Sequence, residues 1–298
     1  MVGDPPRQLG RYLLFEPLAS GGMAELHLAC VAGAEAFQRV VVVKRILPHR
    51  ASEPGFLRML LNEAKLSAQL HHPNIVQVLD LCHVEGEHFI VMEYIHGVDL
   101  QKVLRESVAR RPLPLAAALS VVLGVAAGLH HAHEARDAKG DPLYIVHRDV
   151  SPSNVIVAQD GVVKVVDFGI AKALAHTEVT STGTIKGKIG YMAPEQCRGD
   201  RVDRRADIYA LGVLLYETTL GRRMFVGDNQ FAIMNAVLGG RFAPPSEVDP
   251  DYPPAIETVV LRALQTHAED RYATAAEFIE ALAQATVACG VKPSSGAL

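Results

Sequence analysis

The sequence predicts an α+β fold in two parts: a small β-rich lobe with one main helix, followed by a larger α-helical lobe. Three observations point there. The first third of the chain reads as strands around a single helical stretch, and from about Gly97 onward it reads mainly as helices. The 298 residues exceed one ordinary core and suit two lobes of a single unit. Hydrophobic residues make up 49% and charged residues 21%, a globular balance.

The elements follow in order. Tyr12 to Leu18 is a short apolar run, and Glu25 to Ala29 alternates polar with apolar. Arg39 to Ile46 contains four consecutive valines, Val40 to Val43, which suit a buried strand, and Pro48 ends it. Phe56 to Leu70 places Leu57, Leu60, Leu61, Ala64 and Ala68 at helical spacing until His72-Pro73-Asn74 breaks the pattern. Strands are expected at Ile75 to Leu81 and His88 to Met92, joined by a turn at Glu85-Gly86-Glu87. Helices are expected at Leu100 to Ala109, Leu115 to Glu134, Arg204 to Leu220, Gln230 to Leu238, Pro254 to Leu264 and Thr274 to Thr286, with a strand-and-loop region from Ile145 to Glu195.

Composition excludes several classes. A net charge of −4 lacks the basic footprint of a nucleic-acid binder. Cys30, Cys82, Cys197 and Cys289 form no CxxC pair, so neither a disulfide framework nor a zinc site is expected, and a reducing cytoplasm fits. Residues Met1 to Arg7 have no apolar core like that of a signal peptide. Leu113 to Leu129 approaches the length of a membrane span, but Ser120, Gly124 and Gly128 dilute it and histidines follow at once, so it reads as a buried core helix and not a membrane segment. His130, His131 and His133 are then expected to cap its C-terminal end, where positive charge is favourable.

The polar chemistry is concentrated between Ile145 and Glu195. His147-Arg148-Asp149 is followed by Asn154, five residues after the Asp, and thirteen residues later comes Asp167-Phe168-Gly169; Ala193-Pro194-Glu195 closes the segment. In that order and at those spacings these motifs resemble the eukaryotic-type protein kinase family, in particular its bacterial serine/threonine members. The resemblance covers 12–285 as a kinase domain, with a small lobe at about 12–96, a large lobe at about 97–285, and terminal extensions at 1–11 and 286–298. It implies the bilobal protein kinase fold, ATP and Mg²⁺ as cofactors, and protein substrates.

Residue by residue, the resemblance makes Asp149 the group that accepts the acceptor hydroxyl's proton, and Asn154 and Asp167 the Mg²⁺ ligands, both offering hard oxygens. Lys44 would hold the α- and β-phosphates and pair with Glu63, the only carboxylate of its helix; a merely solvated Glu63 is the alternative. Leu18, Ala19, Ser20, Gly21, Gly22, Met23, Ala24 and Leu26 would cover the nucleotide, Met92 would stand beside the adenine, and backbone groups of Glu93 and Ile95 would bond its edge. Asp207 would anchor the catalytic loop, Glu195 would pair with Arg271, and Arg148 would receive a phosphate on Thr177, Thr180, Ser181, Thr182 or Thr184. Activation would then involve an upstream kinase or self-association.

Three departures stand out. The glycine-rich loop keeps Gly21 but has Ala19 and Ala24 at its outer positions, which predicts weakened ATP binding. The lysine usual two residues after the catalytic Asp is Ser151, whereas Lys188 stands where a threonine is expected. Lys188 either replaces the missing cation or is a solvated loop lysine. The insertion Ala135 to Tyr144 reads as a surface turn around Gly140-Asp141-Pro142. Ser/Thr kinase activity is the leading expectation, favoured over tyrosine by Gly190 to Glu195. A pseudokinase scaffold that works through protein contacts is the alternative, supported by Ala19, Ala24 and Ser151.

Overall fold

The computed structural model describes residues 7–22, 24–32, 38–52, 54–110, 113–168 and 188–291. The expectations for Met23, for Gly169 and for the hydroxyl residues between Thr177 and Thr184 lie outside them. The chain divides into two units, Met1–His72 with Val76–His96, and Pro73–Ile75 with Gly97–Leu298.

The first unit contains strands β1 (Arg7–Leu9), β2 (Tyr12–Ser20), β3 (Ala24–Ala32) and β4 (Gln38–Ile46), helices α1 (Pro48–Ala51) and α2 (Pro54–Ser67), and strands β5 (Val78–Val84) and β6 (Glu87–Glu93). They form one sheet in the order β1-β2-β3-β4-β6-β5, with antiparallel neighbours throughout. Alternation sets its faces. Val41 and Val43 enter a core with Leu9, Tyr12, Leu14, Ala29, Phe89 and Val91, and the Tyr12 and Phe89 rings meet edge to face at 5.9 Å. Val42 and Lys44 therefore project to the other face, where Lys44 stands opposite Leu26 on β3 and Ile90 on β6. Leu9 is part of the core, so the sheet starts before Tyr12.

The expected strand at Ile75 starts later, at Val78. Ile75 instead belongs to the second unit, where it bridges Val165, whose N–H donates to the Asn74 carbonyl at 2.8 Å. Helix α2 ends at Ser67, and the chain to Leu70 closes in tighter turns that still bury Leu70.

The second unit has a small sheet, β7 (Gly97–Asp99), β8 (Val155–Ala158) and β9 (Val163–Val165), in that order. Its helices are α3 (Leu100–Arg110), α4 (Leu115–His133), α5 (Pro194–Arg198), α6 (Arg205–Leu220), α7 (Gln230–Leu238), α8 (Pro245–Val248), α9 (Pro254–Ala263) and α10 (Ala275–Ala288). Among the described residues, α4 is the one helix long and apolar enough to cross a membrane. It is packed against α6 and α10, with Leu119, Val121, Val122, Val125 and Leu129 fully buried, so it is a core helix here. Helix α6 is buried nearly all round, from Ala206 to Thr218. Local chemistry sets the ends of the elements: Asn229 Oδ1 accepts from Ala232 N before α7, Thr274 Oγ1 from Glu277 N before α10, and Gly221 turns left-handed after α6.

Candidate active site

Helix α6 holds the second unit's polar constellation from two points. Near its start, Asp207 is buried with both carboxylate oxygens committed: Oδ1 accepts from Arg148 N at 2.8 Å, and Oδ2 from His147 N at 2.8 Å and His133 Nε2 at 2.7 Å. Burial would push the Asp207 carboxyl up, but the hydrogen bond from His133, the two neighbouring imidazoles of His133 and His147 and the His147 backbone donor together hold it below the ordinary carboxylate range. His133 is thus a buried partner of Asp207, which corrects the expectation that it caps the end of α4. Its Nδ1 is buried with no hydrogen-bond partner among the described residues, so Nε2 is the nitrogen that donates to Asp207.

His147 is fully buried. It accepts from Asp149 N at Nδ1, 3.2 Å, and bonds the Val166 carbonyl through Nε2, also 3.2 Å, so Nε2 carries its proton. Its ring lies against Phe168 at 4.7 Å. Burial pushes its pKa down, against the opposing pull of Asp207 and Asp149. One imidazole thereby joins the loop that begins at His147 to the residues before Asp167. Arg148 and Asp167 both have left-handed backbones, φ 63° and 55°, an uncommon conformation for side chains of this kind.

Asp149 Oδ2 accepts from Asn154 Nδ2 at 2.7 Å and from Lys188 Nζ at 2.9 Å. Asn154 Nδ2 also donates to the Asp149 carbonyl at 2.9 Å. Two acceptors on one nitrogen fix the amide's orientation and leave Oδ1, a hard oxygen, uncommitted among the described residues, which is what a Mg²⁺ ligand requires. Ser151 is 2% exposed and its Oγ lies 3.1 Å from Ser153 Oγ.

The second hold of α6 is Glu217. It accepts from Tyr191 Oη at 2.5 Å and from Met224 N at 3.1 Å, and Arg223 also donates to Tyr191 Oη. Tyr191 and buried Ile189 belong to the short 3₁₀ turn that begins after Lys188, so the lysine stands on an anchored segment. Gln196 of α5 ties the two halves together, accepting from Ala193 N at 3.1 Å and donating to the Arg148 carbonyl at 2.9 Å. Below them, Glu195 and Arg271 form a two-bond fork at 2.8 Å each.

In the first unit the residues assigned to the nucleotide share one hairpin and its neighbours. Leu18 falls at a bulge of β2 between Pro17 and Ala19 and is 55% exposed. Ala19 pairs with Leu26 and Ser20 with Glu25, while Gly21 N donates to the Ala24 carbonyl at 3.0 Å. A Cβ at Gly22 would meet nothing and one at Gly21 only the Ala24 carbonyl at 3.7 Å, so the hairpin itself does not demand glycine. Lys44 on β4 and Glu63 on α2 are both half-buried. Met92 and Glu93 end β6, where Glu93 N donates to the Gln77 carbonyl at 3.0 Å, and Ile95 follows the strand.

Sequence reasoning gave no role to the His147 ring or to Gln196, and placed His133 at the helix end instead of on Asp207. Only Gln196 left a trace, as a polar residue in the first turn after Pro194. The insertion is a turn as expected: Asp137 Oδ1 accepts from Lys139 N and Asp141 N, and Arg136 bridges Pro142.

The family model described as "Protein kinase domain" matches residues 16–284. The chain is 50% identical over 274 residues to the tyrosine-protein kinase MasK of Myxococcus xanthus, covering 92% of this chain and 42% of that protein. It is 37% identical over 279 residues to the serine/threonine-protein kinase PknB of Mycolicibacterium smegmatis (92% and 42%), and 34% identical over 266 residues to the serine/threonine-protein kinase PrkC of Bacillus subtilis (89% and 39%). The chain therefore spans about two fifths of the length of these relatives. The crystal structure of the Mycobacterium tuberculosis PknI kinase domain superposes with a TM-score of 0.70 at 27% identity, over 96% of this chain and 100% of that one.

Proposed function

The chain belongs to the protein kinase family, and from that premise we propose that it transfers the ATP γ-phosphoryl group to serine or threonine hydroxyls of protein substrates. The observation that carries this is the Asp149 carboxylate, held in place by Asn154 within a loop that Asp207 pins by two backbone donors. In the transfer, the bond from the γ-phosphorus to the bridging oxygen of ADP breaks and one to the acceptor oxygen forms. Asp149 aims the acceptor hydroxyl and takes its proton. Asn154 Oδ1 and the Asp167 carboxylate would hold Mg²⁺, which when bound offsets the charge of the polyphosphate. Lys44, oriented by Glu63, holds the α- and β-phosphates. The hairpin of Ala19, Ser20, Gly21 and Gly22 covers the phosphates, a role supported by glycines that the hairpin does not itself need. A cytoplasmic setting, with proteins as substrates and an upstream kinase or a second copy as activator, completes the proposal, and its dependence on ATP supports it.

Serine and threonine are favoured by the segment Gly190 to Glu195 and by the names of PknB and PrkC. A tyrosine acceptor is the second reading, favoured by the 50% identity to a protein named as a tyrosine kinase. Incubating the chain with γ-labelled ATP and Mg²⁺, beside an Asp149→Asn control, and hydrolysing the product decides both points. Phosphoserine or phosphothreonine absent from the control supports the proposal, phosphotyrosine alone replaces it with the second reading, and no transfer leaves a nucleotide-binding scaffold.

A further inference from the structure

Residue 151 and residue 188 have exchanged chemistry. Two residues beyond Asp149, where a cation would serve the transferred phosphate, Ser151 is buried and faces Ser153 at 3.1 Å. Thirty-nine residues along the chain from Asp149, Lys188 brings an ammonium to within 2.9 Å of Asp149 Oδ2. Its side chain is 29% exposed and that of Asp149 12%, so this is no freely solvated loop lysine. The approach is built in, because Ile189 and Tyr191 are buried directly after it and Tyr191 Oη is fixed to Glu217 of α6.

Resting on the kinase reading above, we propose that Lys188 is a catalytic residue that supplies the γ-phosphate cation from the activation-segment side, in place of residue 151. At that position it contacts the carboxylate that takes the proton and offsets the charge of the phosphoryl group being transferred. One consequence is regulatory. The cation belongs to the segment leading into Ala193-Pro194-Glu195, so the catalytic set is complete only when that segment is seated on α6.

The test uses the 298-residue chain and its Lys188→Met and Lys188→Thr variants. Thr is the residue expected at this position, so it keeps the question answerable if Met unfolds the segment. Two quantities are read: turnover, and the ratio of affinities for a non-hydrolysable ATP analogue and for ADP, each with Mg²⁺, by calorimetry. The expected result is a fall in kcat of about 10²-fold or more and a loss of roughly tenfold in the preference for the triphosphate, the size of one charge-assisted hydrogen bond. A melting temperature close to that of the parent would accompany both. Unchanged turnover overturns the proposal. So does lost turnover with an unchanged affinity ratio, which would make Lys188 a support for Asp149 alone. If the parent transfers no phosphate yet the ratio still falls, the kinase reading fails while the phosphate contact stands.

Discussion

Replacing Arg271 with Met removes one side chain and the donors of five hydrogen bonds. Its side chain is fully buried and all five guanidinium hydrogens are used. Nε donates to the Gln265 carbonyl at 2.8 Å, one terminal nitrogen to Glu195 Oε1 at 2.8 Å and the Arg205 carbonyl at 3.0 Å, and the other to Glu195 Oε2 at 2.8 Å and the Thr266 carbonyl at 3.2 Å. Met fills much of the volume, so little of the loss comes from a cavity. The cost comes from a buried carboxylate left without its cation and three carbonyls that each lose a donor, and breaking a buried pair from one side costs about 3–5 kcal/mol. In a domain of this size that lowers the melting temperature by roughly 10 °C. Replacing Glu195 with Gln instead leaves the guanidinium charged and buried. The double variant Glu195→Gln/Arg271→Met should lose clearly less than the sum of the two, because each single change strands the other's partner. Differential scanning calorimetry of the four proteins measures this. A Met variant that melts within about 2 °C of the parent, or losses that simply add, would show that this network does not hold the lobe.

Asp207→Asn turns one accepting oxygen into a donor facing backbone N–H groups or His133; turnover should fall at least 100-fold, in a steady-state assay, with a smaller change in KM for ATP. Asp207 and His147 are both held below their ordinary pKa values, so their contribution to stability is complete above those values and is lost as pH falls through the folded ones; acid unfolding monitored by circular dichroism should be steeper in the parent than in Asp207→Asn. In the first unit, the hydrogen bond from Arg45 holds Glu87 down to about 2 from 4.5, so stability is lost between those pH values, and Glu87→Gln should flatten that limb. Gly97→Ala would place a Cβ 2.3 Å from the Val157 carbonyl, so β7 must part from β8 and the melting temperature should drop by several degrees.

The readable part of this molecule was the part whose chemistry demands particular residue types. Asp149, Asn154 and Asp167 were named through a resemblance in motif order and spacing, and of these the structure joins Asp149 to Asn154 by a hydrogen bond; the long helices were legible because their apolar period is sustained. The Lys188–Asp149 approach was legible only as two departures that matched. His133 was misread because a helix sequence shows which residues lie near its end but not which face meets another helix; α6 supplies the carboxylate. Ile75 was placed in a strand by its apolar neighbours, yet its pairing partner, Val165, lies ninety residues away. Strand β1 is three residues long, too short for an alternation to register.

The strain at Arg148 was equally silent, since arginine carries no signal for a left-handed backbone, yet it bears on how Asp149 is aimed. Arg148 is pinned from both sides: its N–H donates to Asp207 Oδ1 and its carbonyl accepts from Gln196 Nε2. Those two bonds hold φ at 63°, a conformation that costs a residue with a Cβ on the order of 1 kcal/mol. They thereby turn the next residue, Asp149, toward Asn154 and Lys188. At an ordinary position Ala is more stable than Gly because glycine loses more chain entropy on folding. At residue 148 the order should invert. Arg148→Gly and Arg148→Ala lose the same guanidinium and differ by one methyl group, so their comparison isolates the backbone. The Gly variant should melt a few degrees above the Ala variant while its turnover falls further, because the released loop no longer holds Asp149 to one direction. An Ala variant that melts higher than Gly would mean that the left-handed turn is unstrained, and that Asp207 and Gln196 decorate the catalytic loop without constraining it.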